Sequence, residues 1–237
     1  MKTLGILGGL GPASSNYFME RFTALRGAKS DQEHPDVLLF SRASTPDRTA
    51  YLLGSSESSP LPALLDSIYR LEDAGAEVMA MPCVTAHHFY RPLADASHGK
   101  LINMLEETAA VLQRQGVQTV GLLATSGTIQ SGTFVGVLEN AGMKVFVLDT
   151  DQQSRLMDFI YAVKAGKLLR TSALERFGTQ LLSQGAQRVI LGCTELSLFR
   201  SKLENKPYFD PVEALAARCL ELCTGAPVHI PGVVRGS

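Results

Sequence analysis

Neither sign of charge dominates this chain: 22 Lys and Arg stand against 23 Asp and Glu, and the basic residues are scattered. Binding a phosphate backbone needs a basic patch or stripe, so nucleic acid is not an expected partner. No apolar run approaches the length that crosses a bilayer, and no membrane partner is expected. The N-terminal apolar run is broken at Gly5, Gly8, Gly9, Gly11 and Pro12, too early for a signal-peptide core. Only four cysteines occur, Cys83, Cys193, Cys219 and Cys223, without the paired spacing of a zinc site or a CxxC redox motif. No metal is therefore expected, and the thiols read as reduced groups of a cytoplasmic protein. What remains is a globular composition, 45% hydrophobic and 19% charged over 237 residues, about two modest domains' worth.

Within that composition lies a repeat. Gly75-Ala76 begins eight positions before Cys83, and Gly185-Ala186 begins eight before Cys193. Thr3-Leu4-Gly5-Ile6-Leu7 likewise matches Thr119-Val120-Gly121-Leu122-Leu123, with Gly11 and Gly127 following in register. A chain that repeats its first strand and later a strand-to-cysteine turn reads as a duplicated α/β unit. Ligands of open α/β sheets bind beyond the carboxyl ends of the strands. Two such units face to face bring both thiols to one cleft. The expected fold is α/β, two pseudosymmetric open-sheet domains with the active site between them.

Taken in order, residues 3–8 read as a buried strand, and Tyr17, Phe18, Phe22 and Leu25 mark the helix opened by Gly8-Gly9-Leu10-Gly11-Pro12. Such a turn exposes N–H groups suited to a carboxylate or phosphate, the alternative being a plain tight turn. As a dinucleotide fingerprint it lacks the third glycine, because Ser14 stands there. The next strand, 37–40, ends in Ser41-Arg42 instead of an acidic residue, leaving an NADP reading with Arg42 alone. Arg48, just past that strand, is either a solvated charge or a bidentate grip on a carboxylate. Leu64, Leu65, Ile68 and Leu71 mark a helix, residues 78–81 the strand delivering Cys83, and Ile102, Leu105, Ala109 and Leu112 the helix closing the first half. Polar residues 94–100 mark a domain boundary.

The second half opens with a strand at 120–124 that ends in Thr125-Ser126-Gly127-Thr128, a cradle of hydroxyls and N–H groups. A strand at 144–148 and a helical stripe at Leu156, Phe159, Ile160 and Val163 follow, with Lys164 near the helix end, where a cation is favourable in any case. A helix at 172–183 leads to the strand carrying Cys193. Asp210-Pro211-Val212-Glu213 is a capped helix start, and Cys219 and Cys223 share one face of that helix as buried structural thiols.

A free thiol ionises at about 8.5, and lower at a helix N-terminus. Cys83 and Cys193 both stand where a strand hands over to a helix, so each is expected to be activated without a metal. Two acid/base groups on opposite faces of one carbon remove a proton from one side and supply it on the other, which inverts the centre. Mutual repulsion favours one thiolate and one thiol. Thr85 and Thr194 are placed to hydrogen-bond thiol or substrate, and His87 and Glu195 to support the cysteines from behind; otherwise these side chains are solvated.

These motifs, in this order, resemble the aspartate/glutamate racemase family, in its pyridoxal-independent aspartate branch. The resemblance is carried by Gly8-Gly9-Leu10-Gly11-Pro12, Pro46-Asp47-Arg48-Thr49-Ala50-Tyr51, Pro82-Cys83-Val84-Thr85-Ala86-His87, Ser131-Gly132, Ile160 to Gly166 and Gly192-Cys193-Thr194-Glu195. It implies a homodimer, no cofactor, and a C-terminal helix that returns to the first domain, so that 1–98 with 210–237 forms one domain and 99–209 the other. It implies that Cys83 and Cys193 exchange the α-proton and that Arg48 and Lys164 hold the distal carboxylate. It implies that backbone groups around Leu10 and the segment Val84, Thr85 and Ala86 hold the amino-acid head; Thr125, Thr128 and Thr194 are substrate-binding candidates from their own place at the strand ends. Glu195, where glutamate racemases have His, points to aspartate. The family has Asn where this chain has Val84, so a hydrogen bond to the ionic head is lost, on the order of 1.5–3 kcal/mol. The readings that follow are a racemase of aspartate, and of glutamate next; an isomerase or decarboxylase of small dicarboxylic acids; and a carboxylate-binding protein without turnover.

Overall fold

The computed structural model describes residues 1–203 and 205–230. Two four-stranded parallel sheets are built in the same way. The first has β1 (Leu4–Gly8), β2 (Val37–Ser41), β3 (Val78–Ala80) and β4 (Lys100–Leu101) in the order β2-β1-β3-β4. The second has β5 (Thr119–Ala124), β6 (Lys144–Phe146), β7 (Arg188–Gly192) and β8 (Tyr208–Phe209) in the order β6-β5-β7-β8. Each strand of the first half thus has a counterpart in the second, and the matched sequences at 3–7 and 119–123 fall on β1 and β5. Gly5 and Gly121 share a packing reason: a Cβ there would stand 2.7 Å from the Cβ of Ala76 or 2.6 Å from that of Leu181.

Parallel sheets are covered on both faces, and alternate residues of these strands serve different cores. Leu4, Ile6, Val78 and Ala80 of the first sheet share one buried cluster with Val120, Leu122, Ala124 and Ile190 of the second. Side chains of α5 (Met104–Arg114) and α11 (Pro211–Thr224) belong to the same cluster. The other faces are closed separately. Leu7 and Met79 meet α3 (Leu61–Asp73) in one cluster, while Val189 and Leu191 join residues of α8 (Thr150–Lys164) and α9 (Thr171–Ser183) in another.

The main core is therefore common to both halves. In α11, ten of fourteen residues are buried, as expected of a helix enclosed by other elements. It packs on α1 (Pro12–Arg26), α5 and β3. The first sheet runs past the boundary expected at 98, because Lys100–Leu101 pairs with β3. That two-residue strand is too short to show a period. Among the described residues no helix is long and apolar enough to cross a membrane.

Candidate active site

In each sheet the central pair, β1 with β3 and β5 with β7, sends its following loops to a common cleft. Leu10 follows β1, Cys83, Val84 and Thr85 follow β3, Thr125 follows β5, and Cys193, Thr194 and Glu195 follow β7. Asp47, Arg48 and Thr49 reach it from the connection after β2, and Lys164 from the end of α8. The cleft is nearly closed, with a volume of about 10 Å³, which is about one water's worth. Of the residues expected at the site, Ala86, His87 and Thr128 lie behind this lining. Asp47 and Thr49 are additions, and their sequence signal is their place on either side of Arg48 in the motif Pro46 to Tyr51.

Cys193 is the N-cap of α10 (Thr194–Ser197), and its thiol donates a 3.0 Å hydrogen bond to Glu195 Oε2. Burial, reinforced by the Glu195 carboxylate, pushes the Cys193 thiol well above its ordinary range, against the opposing pull of Lys164. This corrects the expectation of a lowered thiol: a four-residue helix offers little dipole, and the nearest charge is negative. Cys83 precedes a 3₁₀ turn, Thr85–Phe89, instead of an α-helix. Both sulfurs are buried.

Glu195 is itself buried, and its Oε1 has no hydrogen-bond partner. A Cβ on Gly11 would stand 2.5 Å from that oxygen, so the turn after β1 makes room for the carboxylate. Lys164 is an exposed residue overall, yet it lines the cleft. Partial desolvation works against its charge, but Glu195, Cys193 and Cys83 outweigh it and hold the ammonium above the usual lysine range. Its Nζ lies 5.4 Å from the ring centre of Tyr161.

Arg48 is buried, and its fork is turned on the backbone. Nη2 donates to Leu10 O at 2.6 Å, and Nη1 donates to Thr45 O and Pro46 O at 3.3 and 3.1 Å. Nε has no partner. The glycine-rich turn is also occupied in part, since Gly9 N–H donates to Ser15 Oγ.

Behind the lining, His87 is buried and not solvated. Its Nε2 accepts from Met104 N–H at 3.1 Å, which leaves the proton on Nδ1 to donate to Cys83 O at 2.9 Å. Burial lowers its pKa to about 4, so the neutral ring is a fixed strut between the Cys83 turn and the start of α5. The Thr85 hydroxyl lies 2.9 Å from that of Thr125 and 3.0 Å from that of Thr128, and the latter two are 3.0 Å apart. This triangle joins the turn after β3 to the turn after β5. Val84 lines the cleft and is buried in the shared core, and its side chain is wholly apolar. Among the described residues, no group of three or more His, Cys, Asp or Glu is arranged to hold a metal ion.

The architecture has known counterparts. An aspartate racemase of Picrophilus torridus is 30% identical, with 97% of this chain and 96% of that one covered and a TM-score of 0.83. An aspartate racemase homologue from Pyrococcus horikoshii OT3, 24% identical over 94% of this chain and 100% of its own, shares the fold with a TM-score of 0.76. The broad specificity amino-acid racemase RacX of Bacillus subtilis (strain 168) is 29% identical over 90% of this chain and 94% of its own. The model of the family described as Asp/Glu/Hydantoin racemase matches residues 7–219, and the chain belongs to that family.

Proposed function

We propose that this isomerase is a cofactor-independent amino-acid racemase that exchanges the α-proton of an acidic amino acid, aspartate first and glutamate next, between Cys83 and Cys193. The observation that carries the reading is that the two cysteines follow equivalent strands, β3 and β7, and line one cleft. One thiolate takes the α-proton, and the electron pair of the C–H bond passes to the α-carbon and its carboxylate. The other sulfur gives up its S–H proton to the opposite face and becomes the thiolate. The stereocentre inverts, and the reverse direction exchanges the two roles. The raised Cys193 thiol, held by Glu195, suits a resting state with that sulfur protonated.

Arg48 and Lys164 are the cations for a distal carboxylate, Arg48 through the nitrogen it does not spend on carbonyls. Backbone groups around Leu10, Val84 and Thr85 take the amino-acid head, with the hydroxyls of Thr125 and Thr194 beside it, while Ala86 and Thr128 support that lining from behind. A cleft of about 10 Å³ admits no amino acid, so the turns that line it move apart for substrate and close on it, over the core that the two halves share. The protein is further read as a cytoplasmic homodimer, which sedimentation tests. Val84 favours a second reading of the specificity, an amino acid other than aspartate, because it places no hydrogen bond on the ionic head.

The test is incubation with L- and D-aspartate in deuterated water. Deuterium at the α-carbon of the opposite enantiomer is expected, and Cys83→Ala and Cys193→Ala each abolish racemisation. Full racemisation in both variants overturns the assignment of the thiols. No exchange with aspartate, glutamate or a neutral amino acid overturns the racemase reading and leaves a dicarboxylate isomerase, a decarboxylase or a binding protein.

A further inference from the structure

A second cavity, of about 940 Å³, shares no lining residue with the cleft. It lies between α1, the turn Arg200–Leu203 and the start of α11. Four cations line it: Arg21, Arg188, Arg200 and Lys206. Three carboxylates, Glu20, Asp210 and Glu213, line it as well, and the last two are engaged. Asp210 accepts from Tyr17, Ser197 and Val212 N–H. Glu213 faces two guanidiniums at once, 3.3 Å from Arg21 and 3.8 Å from Arg200. Nε of Arg21 and Nη1 of Arg200 are buried without a hydrogen-bond partner, and Arg200 Nε reaches Glu213 only at 3.8 Å, beyond hydrogen-bond distance. A buried charged donor without an acceptor is expensive, and four cations against three carboxylates leave the lining with one positive charge in excess.

We infer that this crevice binds an oxyanion, the phosphate or carboxylate end of a small metabolite, between Arg21 and Arg200. The crevice is also joined to the cysteine turn. Ser197 of α10 donates to Asp210 in the crevice wall at 2.7 Å, and Arg200 begins the turn that follows α10. From the other wall, α1 starts at Gly11, which lies against Glu195. An anion that draws Arg21 and Arg200 inward therefore acts on the segment carrying Cys193 and Glu195. The binding claim is independent of the racemase reading; the claim that it regulates turnover rests on that reading.

The experiment titrates the full chain with inorganic phosphate by calorimetry at constant ionic strength. Saturable binding is expected, and Arg21→Gln and Arg200→Gln each weaken it at least about tenfold while thermal unfolding confirms that they fold. Arg48→Gln in the cleft leaves it unchanged. Coupling is read without substrate, as the pH midpoint of Cys193 alkylation, which phosphate shifts in the parent chain and not in Arg200→Gln. Absence of saturable binding, or binding kept by Arg200→Gln and lost by Arg48→Gln, overturns the site. Intact binding with an unmoved midpoint overturns the coupling.

Discussion

The Cys193 thiol donates to Oε2 of Glu195, two residues further on in the same turn, at 3.0 Å. The carboxylate stabilises the protonated sulfur and so raises its pKa, while Lys164 acts in the opposite sense. Glu195→Gln is expected to lower the pH midpoint for alkylation of Cys193, and Lys164→Gln to raise it, both read by mass spectrometry of the Cys193 peptide. Racemisation by Glu195→Gln should fall about tenfold or more, the rate equivalent of one hydrogen bond to a charged group. An unmoved midpoint in Glu195→Gln would remove Glu195 from any role in setting the thiol.

Gly11 and Gly9 share one turn but should fail differently. A Cβ at Gly11 meets the far end of a flexible side chain, Glu195 Oε1 at 2.5 Å, on a backbone that tolerates alanine. Gly11→Ala is expected to keep the fold, losing less than about 1 kcal/mol as a cap change, while displacing Glu195 and cutting turnover. Gly9 has φ +82°, and its Cβ would lie 2.5 Å from the backbone of Arg42. Gly9→Ala should cost about 1–3 kcal/mol in strain before any clash is counted. Urea unfolding beside kcat/KM separates the two, and equal losses of stability would contradict this account.

How far the sequence foretold these features depends on the distance over which each one acts. The duplicated strands, the helical stripes at Leu64 and Leu156, and both cysteine turns were readable because they are periodic or repeated. The two-residue strands β4 and β8 were not, since they owe their form to pairing with β3 and β7. The Arg48 contact with Leu10 O spans 38 positions, and no local pattern encodes it. For His87 and Glu195 the sequence leaves two alternatives open, a partner of the cysteines and a solvated side chain. Only the packed halves show that both are buried, and that burial with a nearby carboxylate overrides the helix end at Cys193.

The neutral His87 strut ties stability to pH. Its pKa is lowered to about 4, below the ordinary value of about 6.5 in the unfolded chain. The unfolded chain thus binds the extra proton first as pH falls. The contribution is complete above about 6.5 and lost progressively down to about 4, in all on the order of 3 kcal/mol. His87→Gln should be less stable near neutrality, having lost the ring that accepts from Met104, but its stability should decline less steeply across that window. Denaturant midpoints measured from pH 7 to 4 check this, and parallel curves for the two proteins would rule it out.

Val84 offers the sharpest test of specificity. It lines the cleft and is buried in the shared core, at a position where the family resemblance leads one to expect Asn. If the missing amide is what weakens the grip on the head of aspartate, Val84→Asn restores one hydrogen bond to a charged group, about 1.5–3 kcal/mol. That corresponds to a gain of roughly 10- to 100-fold in kcat/KM for aspartate. The same change removes apolar contacts from the core, so thermal stability should drop by about 1–3 kcal/mol. Higher aspartate turnover on a less stable protein is therefore the expected pair of results. A variant that loses stability without gaining aspartate would mean that Val84 is matched to a different head or side chain, and parallel assays with neutral amino acids would then identify the preferred substrate.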